Sequence, residues 1–176
     1  VSVIGGGDLT FTGAVGSATD GALGALTVNA VNSVYFHESA NLASLTQTTQ
    51  ASGNVTVAGD LTAQTGGIVI DSAATIYINA ALVTVSSGQS IRLTGSTELG
   101  GDLSTRAGDI VMNDSVSLTA AVTLSTYGGD ITFGSFLDGS QNLTLTAGEG
   151  DIRFNASVGN WSRLGILTIN SSKDVH

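Results

Sequence analysis

The chain has 176 residues, a formal net charge of −9, and neither Cys nor Pro. Fourteen acidic against five basic residues argue against nucleic-acid binding, which needs a basic surface to neutralise phosphate. Without Cys the chain has no disulfide and no thiolate metal site, and no apolar run reaches the roughly 18 residues of a membrane-spanning helix. Only 11% of the residues are charged, and Thr, Ser, Val, Ile and Leu alternate in short runs. This composition predicts half-buried strands rather than helices.

The most regular upstream positions are isoleucines. Ile68, Ile91 and Ile110 follow one another at steps of 23 and 19, and Ile76, Leu99 and Leu118 follow at the same two steps. Two strand positions that change by equal amounts predict one register from position 68 to position 169.

Downstream, the phrase Gly-Asp-Ile begins at residues 108, 129 and 150, so that it recurs every 21 residues. A fixed short period among β-forming residues is typical of a solenoid, in which one repeat makes one coil. The sequence predicts three short strands in each of these coils: 110–112, 116–118 and 122–124; 131–133, 135–137 and 143–145; 152–154, 157–158 and, after a longer turn at 160–165, 167–169.

The fold class predicted is therefore all-β, a parallel β-helix (β-solenoid) of about 21 residues and three short strands per coil. Parallel hydrogen bonds would join coils about 4.8 Å apart. Alternate side chains would point inward, and Ile110, Ile131 and Ile152 would form one aliphatic column. The absence of Pro fits strands that need their N–H groups for pairing on both sides.

A longer repeat lies over the first. Residues 7–11 match residues 150–154 at an offset of 143, and residues 26–29 match residues 167–170 at an offset of 141. We interpret 1–176 as a single continuous β-solenoid, made of one module of about 142 residues (1–142) and the start of the next (143–176). Because the chain begins at Val1 without Met or a signal-peptide pattern, we expect a fragment or a processed product.

These motifs resemble a known family. The sequence Gly-Asp-Ile-x-Phe, then Val-Gly, then Leu-Gly-x-Leu-Thr-Ile is similar to the repeats of filamentous haemagglutinin-like adhesins, very large secreted bacterial surface proteins. The resemblance implies a right-handed parallel β-helix, an extracellular or cell-surface location, and a structural role in a rigid fibre or adhesin. Because neither terminus shows a capping segment and the far end resembles the near end, we expect neighbouring modules of the same protein as partners, either covalent or stacked end to end. Host or surface glycans are the further partner candidates. The shared motifs carry no reaction, so we expect neither enzyme activity nor a cofactor. The net charge and the lack of a long apolar run argue against nucleic acid and membrane insertion.

Three aspartates of the repeat are the metal candidates. Asp109, Asp130 and Asp151 would lie at one corner of successive coils, where stacked carboxylates could bind calcium. The alternative that we favour is that each carboxylate accepts backbone N–H bonds in its own turn. The same carboxylates, as the pairs Asp109 and Asp130 or Asp130 and Asp151, are candidates for the paired acids of a carbohydrate-cleaving β-helix.

The longer turn holds the candidate partner contact. Trp161 and Arg163 lie in it, and an exposed Trp beside Arg is a common hot-spot pair; Trp161 could equally cover the core. A carbohydrate-binding or carbohydrate-cleaving β-helix is the alternative function, and a deep groove lined with acids and aromatic rings would favour it. Ice binding by outward Thr residues is a minor alternative, because Thr-x-Thr pairs do not recur in successive coils.

Overall fold

The computed structural model describes residues 1–17, 21–29, 32–48 and 50–176. Within these ranges the protein is all-β, with twenty strands and no helix, so no described helix is long and apolar enough to cross a membrane. All the strand pairs run parallel and join successive turns of about eight coils. The predicted β-solenoid is therefore confirmed; its right-handed winding stays a prediction.

The strands form three faces that run along the solenoid. β9 and β11 each run around one corner and belong to two faces. Face 1 contains β1 (Ser2–Ile4), β3 (Leu26–Asn29), β6 (Leu45–Gln47), the first part of β9 (Ile68–Ile78), the first part of β11 (Ile91–Leu99), β13 (Ile110–Met112), β16 (Ile131–Phe133) and β19 (Ile152–Phe154). Face 2 contains β2 (Leu9–Phe11), β4 (Val34–Phe36), β7 (Val55–Val57), the ends of β9 and β11, β14 (Val116–Leu118) and β17 (Leu137–Asp138). Face 3 contains β5 (Ala40–Leu42), β8 (Leu61–Ala63), β10 (Leu82–Ser87), β12 (Leu103–Arg106), β15 (Val122–Ser125), β18 (Leu143–Thr146) and β20 (Leu167–Ser171).

The core follows from the alternation within each strand. In β16 the two end residues are buried and the middle one, Thr132, is half-buried on the outside. Ile131 pairs with Ile110 on one side and with Ile152 on the other, and all three side chains are fully buried. The predicted isoleucine column is confirmed. Phe133 stacks on Phe154 with ring centroids 5.2 Å apart, so the aromatic rung follows the same period.

One predicted register is wrong. Ile76 pairs with Thr97, and Leu99 pairs with Ile78, so the step on face 2 is 21 where the isoleucine spacing suggested 23. The register shifts at the corner that β9 and β11 share, where the segment between Asp71 and Thr75 lies opposite a shorter segment of β11. The extra residues of β9 are absorbed there and do not displace the strand that follows.

The glycines of the Gly-Asp-Ile phrase mark the closest approach between coils. A Cβ added to Gly108, Gly129 or Gly150 would lie closer than 3.0 Å to the backbone carbonyl oxygen of Gln89, Gly108 or Gly129, respectively. Each of these carbonyls belongs to the preceding coil. Only Gly permits this spacing, because a backbone atom cannot rotate out of the way.

The long repeat does not place equivalent residues on the same face. Leu9 lies on face 2 and pairs with Val34, whereas Ile152, its match in sequence, lies on face 1. Leu26 lies on face 1 and its match Leu167 on face 3. The offset of the long repeat is thus not a whole number of coils, and similar sequences recur one face apart. The division into modules stays a prediction.

Candidate functional site

The repeated aspartates form a ladder between coils. Asp109 Oδ1 accepts the backbone N–H of Asp130 at 2.9 Å, and Asp130 Oδ1 accepts that of Asp151 at 2.8 Å. Asp60 and Asp102 cap the N–H groups of Ala81 and Thr123 in the same way, one coil further along the chain. The expectation that each Asp caps its own turn is therefore wrong in one respect: the capped N–H belongs to the next coil. The carboxylate occupies a corner where the backbone N–H has no strand partner, and so it satisfies that donor.

Arg153 closes this ladder electrostatically. Its guanidinium donates hydrogen bonds to Asp130 and to Asp151. The pKa of Asp130 lies below its usual value, first because the carboxylate accepts the Asp151 N–H and second because it faces Arg153. The structure thus brings Asp109, Asp130 and Asp151 together in one column. The Oδ1 atoms of Asp109 and Asp130 already accept hydrogen bonds from backbone N–H groups.

A second acidic cluster lies where this column reaches the last coil. Side-chain ligand atoms of Asp151, Asp174 and His176 lie within 4.8 Å of one another, and His176 Nε2 is 3.9 Å from Asp151 Oδ2. Asp151 Oδ1 is buried and has no hydrogen-bond partner. The Arg153 guanidinium already supplies a positive charge to Asp151 Oδ2, so that a cation here would compete with it.

A column of buried threonines was missed by the sequence analysis. Thr84, Thr105 and Thr126 are at most 2% exposed and recur at the period of the coil. Their hydroxyls donate to the carbonyl oxygens of Gln89, Gly108 and Gly129, the same carbonyls that approach the corner glycines. Their even spacing was the signal that could have revealed them. These hydrogen bonds satisfy buried hydroxyls at the corner.

The longer turn holds the one Trp of the chain outside the core. The side chain of Trp161 is 84% exposed, so it does not cover the core. The turn is nevertheless anchored: Asp138 Oδ1 accepts the backbone N–H groups of Trp161 and Ser162 at 2.9 and 3.1 Å. At its two ends, Gly159 N–H donates to Leu137 O and Gly165 N–H to Gln141 O. The indole is therefore carried by a fixed backbone.

A groove of about 360 Å³ crosses the outside of face 2 beneath this turn. Glu98 and Asp138 supply carboxylates, and Phe136 and Trp161 supply aromatic rings. Phe136 is 41% exposed, an unusual place for a ring in a chain whose other described phenylalanines are buried or half-buried. Arg163 is exposed on the same turn but does not line the groove. Sequence reasoning found Trp161 but not Glu98, Phe136 or Asp138, because outward residues do not repeat.

Outward threonines are aligned on part of face 3. Thr123, Thr144 and Thr168 follow one another in one column, while the next outward column reads Ser125, Thr146 and Ser171. The second column thus mixes Ser and Thr.

Comparisons with protein-family models, with curated proteins and with solved structures give no match for this chain. The likeness to filamentous haemagglutinin-like adhesins therefore rests on the residues quoted above, and the family is a proposal.

Proposed function

We propose that this protein is a structural repeat segment of a long secreted or cell-surface bacterial fibre or adhesin, in which it forms a rigid extended stalk. The observation that carries this proposal is the continuity of the interior. Parallel hydrogen bonds on three faces join successive coils, and one apolar core runs along the solenoid inside them. Each coil is hydrogen-bonded along its strands to the coils on either side, so the stack is stiff along its axis.

The acidic groups fit this role better than catalysis. The aspartates of the repeat hold backbone donors of the next coil, and Asp130 is also paired with Arg153. Paired acids in a glycosidase need one group that can give up a proton and a space between them for substrate. Asp109 and Asp130 are instead joined through the Asp130 backbone within the corner.

The two outer coils support continuation of the solenoid. Ile4 at one end is 73% exposed, and Leu167 and Val175 at the other are 40% and 51% exposed. Strands with unpaired backbone groups and apolar side chains readily pair with further strands. We therefore propose that neighbouring modules of the same protein extend the stack, either covalently or head to tail, which produces filaments rather than closed dimers.

Labelling of intact source cells tests the location and the role. Antibodies raised against the 176-residue chain should decorate filaments on unpermeabilised cells in electron microscopy, while an antibody against a cytoplasmic protein should not. Label confined to the interior of sectioned cells would refute the proposal.

Light scattering tests the head-to-tail stacking of separate chains independently of the location. The purified chain should gain mass with concentration, and replacement of Ile4 or Val175 by Lys should reduce the gain. Monomers at every concentration, together with label on cell-surface filaments, would assign the contact between modules to covalent continuation alone.

A further inference from the structure

The groove on face 2 has a chemistry that the stalk role does not require. Its outward column is Tyr77, Glu98, Ser117 and Asp138, one residue per coil, with no basic member. Neither carboxylate forms an ion pair with a described residue. Two unneutralised carboxylates beside two exposed aromatic rings form a surface that attracts cations, both by charge and through the negative faces of the rings.

The spacing of the carboxylates selects the shape of the ligand. Glu98 pairs with Ser117, and Ser117 with Asp138, so the two acids are two coils, or about 10 Å, apart along the solenoid axis. A polyproline II peptide rises about 3.1 Å per residue with three residues per turn, which places residues i and i+3 on one side at about 9 Å. An extended strand would instead put residues i and i+3 on opposite sides.

We propose that this groove binds a peptide segment in the polyproline II conformation that carries two cationic residues, Lys or Arg, at positions i and i+3. One cation meets Glu98 and the other meets Asp138 under the Trp161 indole. The exposed hydroxyl of Ser117 is available to the peptide backbone, whereas the Ser96 hydroxyl is paired with that of Ser115 at 3.2 Å. Polyproline II ligands commonly dock in aromatic-lined grooves, because they lose little conformational entropy on binding.

The anchoring of the turn supports a preformed site. Asp138 uses Oδ1 for the turn, at Trp161 and Ser162, which leaves its Oδ2 for the ligand. The backbone that carries the indole is thereby fixed beside the groove before any ligand arrives, and preorganisation of this kind lowers the entropic cost of binding. An exposed Trp on a fixed backbone would otherwise only add apolar surface to water.

A neutral oligosaccharide is the other class of occupant, since acids and aromatic rings also bind sugars. It would gain nothing from two negative charges that lack a partner, whereas a dibasic peptide is favoured by both. Salt dependence therefore separates the two classes: the Debye length falls from about 10 Å at 0.1 M to about 3 Å at 1 M salt, which weakens exposed ion pairs.

Fluorescence of Trp161, the only Trp, provides the direct measurement. The probe is the capped peptide Ala-Lys-Pro-Ala-Lys-Pro-Ala, in which each Pro biases the preceding Lys towards polyproline II. It should give a saturable change at low salt that weakens at about 1 M salt. The spacing control Ala-Lys-Lys-Pro-Ala-Pro-Ala has the same composition and should bind more weakly.

Variants assign the site, with a fluorescently labelled peptide and anisotropy as the readout. Glu98→Gln and Trp161→Ala should each weaken binding about two- to fivefold. Glu149→Gln and Tyr127→Ala, which alter an exposed acid and an exposed aromatic outside the groove, should leave it unchanged. Thermal melts should confirm that all four variants fold.

Three results would overturn the proposal. The first is equal binding of the two peptides, and the second is equal affinity of the groove and control variants. The third is Glu98-dependent binding of cellotriose, a neutral trisaccharide, without binding of the peptide. The proposal is independent of the fibre role, because a soluble chain could carry the same groove.

Discussion

Replacing Gly129 by Ala should force apart two coils at the corner where the repeated phrase begins. A Cβ at this position would lie closer than 3.0 Å to the carbonyl oxygen and carbon of Gly108, and 3.0 Å from the amide nitrogen of Asp109. All three atoms are backbone atoms of the preceding coil. The carbonyl oxygen of Gly108 also accepts a hydrogen bond from the Thr105 hydroxyl. No side-chain rotation can relieve the clash.

The expected cost follows from this geometry. Inserting atoms where the surroundings cannot move typically costs about 1–3 kcal/mol. Ala also lowers the conformational entropy of the unfolded chain, which stabilises the folded state by about 0.4–1 kcal/mol and offsets part of this loss. Since about 1 kcal/mol shifts the melting temperature of a chain of this size by roughly 2–4 °C, Gly129→Ala should lower it by several degrees.

Gly13→Ala is the matched control. An added Cβ at Gly13 meets no atom within 4 Å, and this residue does not have a positive φ. Only the entropy term remains, so Gly13→Ala should leave the melting temperature unchanged or raise it slightly. Circular dichroism melts of both variants measure the difference in sign. A Gly129→Ala protein as stable as the Gly13→Ala protein would refute the argument that close approach between coils requires Gly at this corner.

Three further predictions follow from the same contacts. Ile131→Asp should lower the free energy of unfolding by more than the roughly 2–5 kcal/mol of a buried Ile→Ala change. Thr132→Asp, on the outside of the same strand, should change it by no more than about 1 kcal/mol. Urea unfolding measures both variants, and equal losses of stability would contradict the inward column. The pKa of Asp130 lies below its ordinary value of 3.8 in the folded protein. The stabilisation that this carboxylate gives to the folded state should therefore be complete at pH values above 3.8 and be lost as the pH falls through the lowered pKa. Asp130→Asn should remove this part of the acid sensitivity, and an unchanged acid sensitivity would show that other carboxylates cause it. A chelator should not change the melting temperature, since Asp109 and Asp130 cap backbone donors; a large fall would show that bound calcium stabilises the corner.

The parts of the fold that repeat in sequence were predictable. The step from Ile110 to Ile131 to Ile152 specifies the register of face 1, because equal spacing on a solenoid places side chains directly above one another. The strands of the coils that begin at 108 and 129 agree with the expectation to within one residue, with one exception. The strand expected at 135–137 is β17, which lies at Leu137–Asp138 and shares only Leu137 with the prediction. In the last coil, residues 157–158 contribute a single bridge, from Val158 to Leu137, in place of a strand.

Other features depend on spatial neighbours that the sequence does not reveal. The spacing of Ile76 and Leu99 suggested the wrong register, since nothing in the letters shows that the corner before Ile76 holds extra residues. The capped N–H of each Asp could belong to its own turn or to the next coil, and both lie at a corner. The groove was missed because Glu98 and Asp138 are outward residues that differ from coil to coil. Only the register of face 2 brings them into one column.

The separation of inward and outward residues leaves the outer surface of the solenoid free to vary while the core keeps its pattern. Inward columns, corner glycines and capping aspartates determine whether a coil stacks, and the groove uses none of the inward side chains for its charges or rings. The turn that carries Trp161 shows how far this freedom extends. Leu143 pairs with Leu167 at a step of 24, while Leu137 pairs with Val158 at a step of 21. The three additional residues lengthen only the turn, because Gly159 and Gly165 bond the backbone of the preceding coil at its two ends. Outward residues can therefore be exchanged, and outer turns lengthened, while the stacked interior keeps its register.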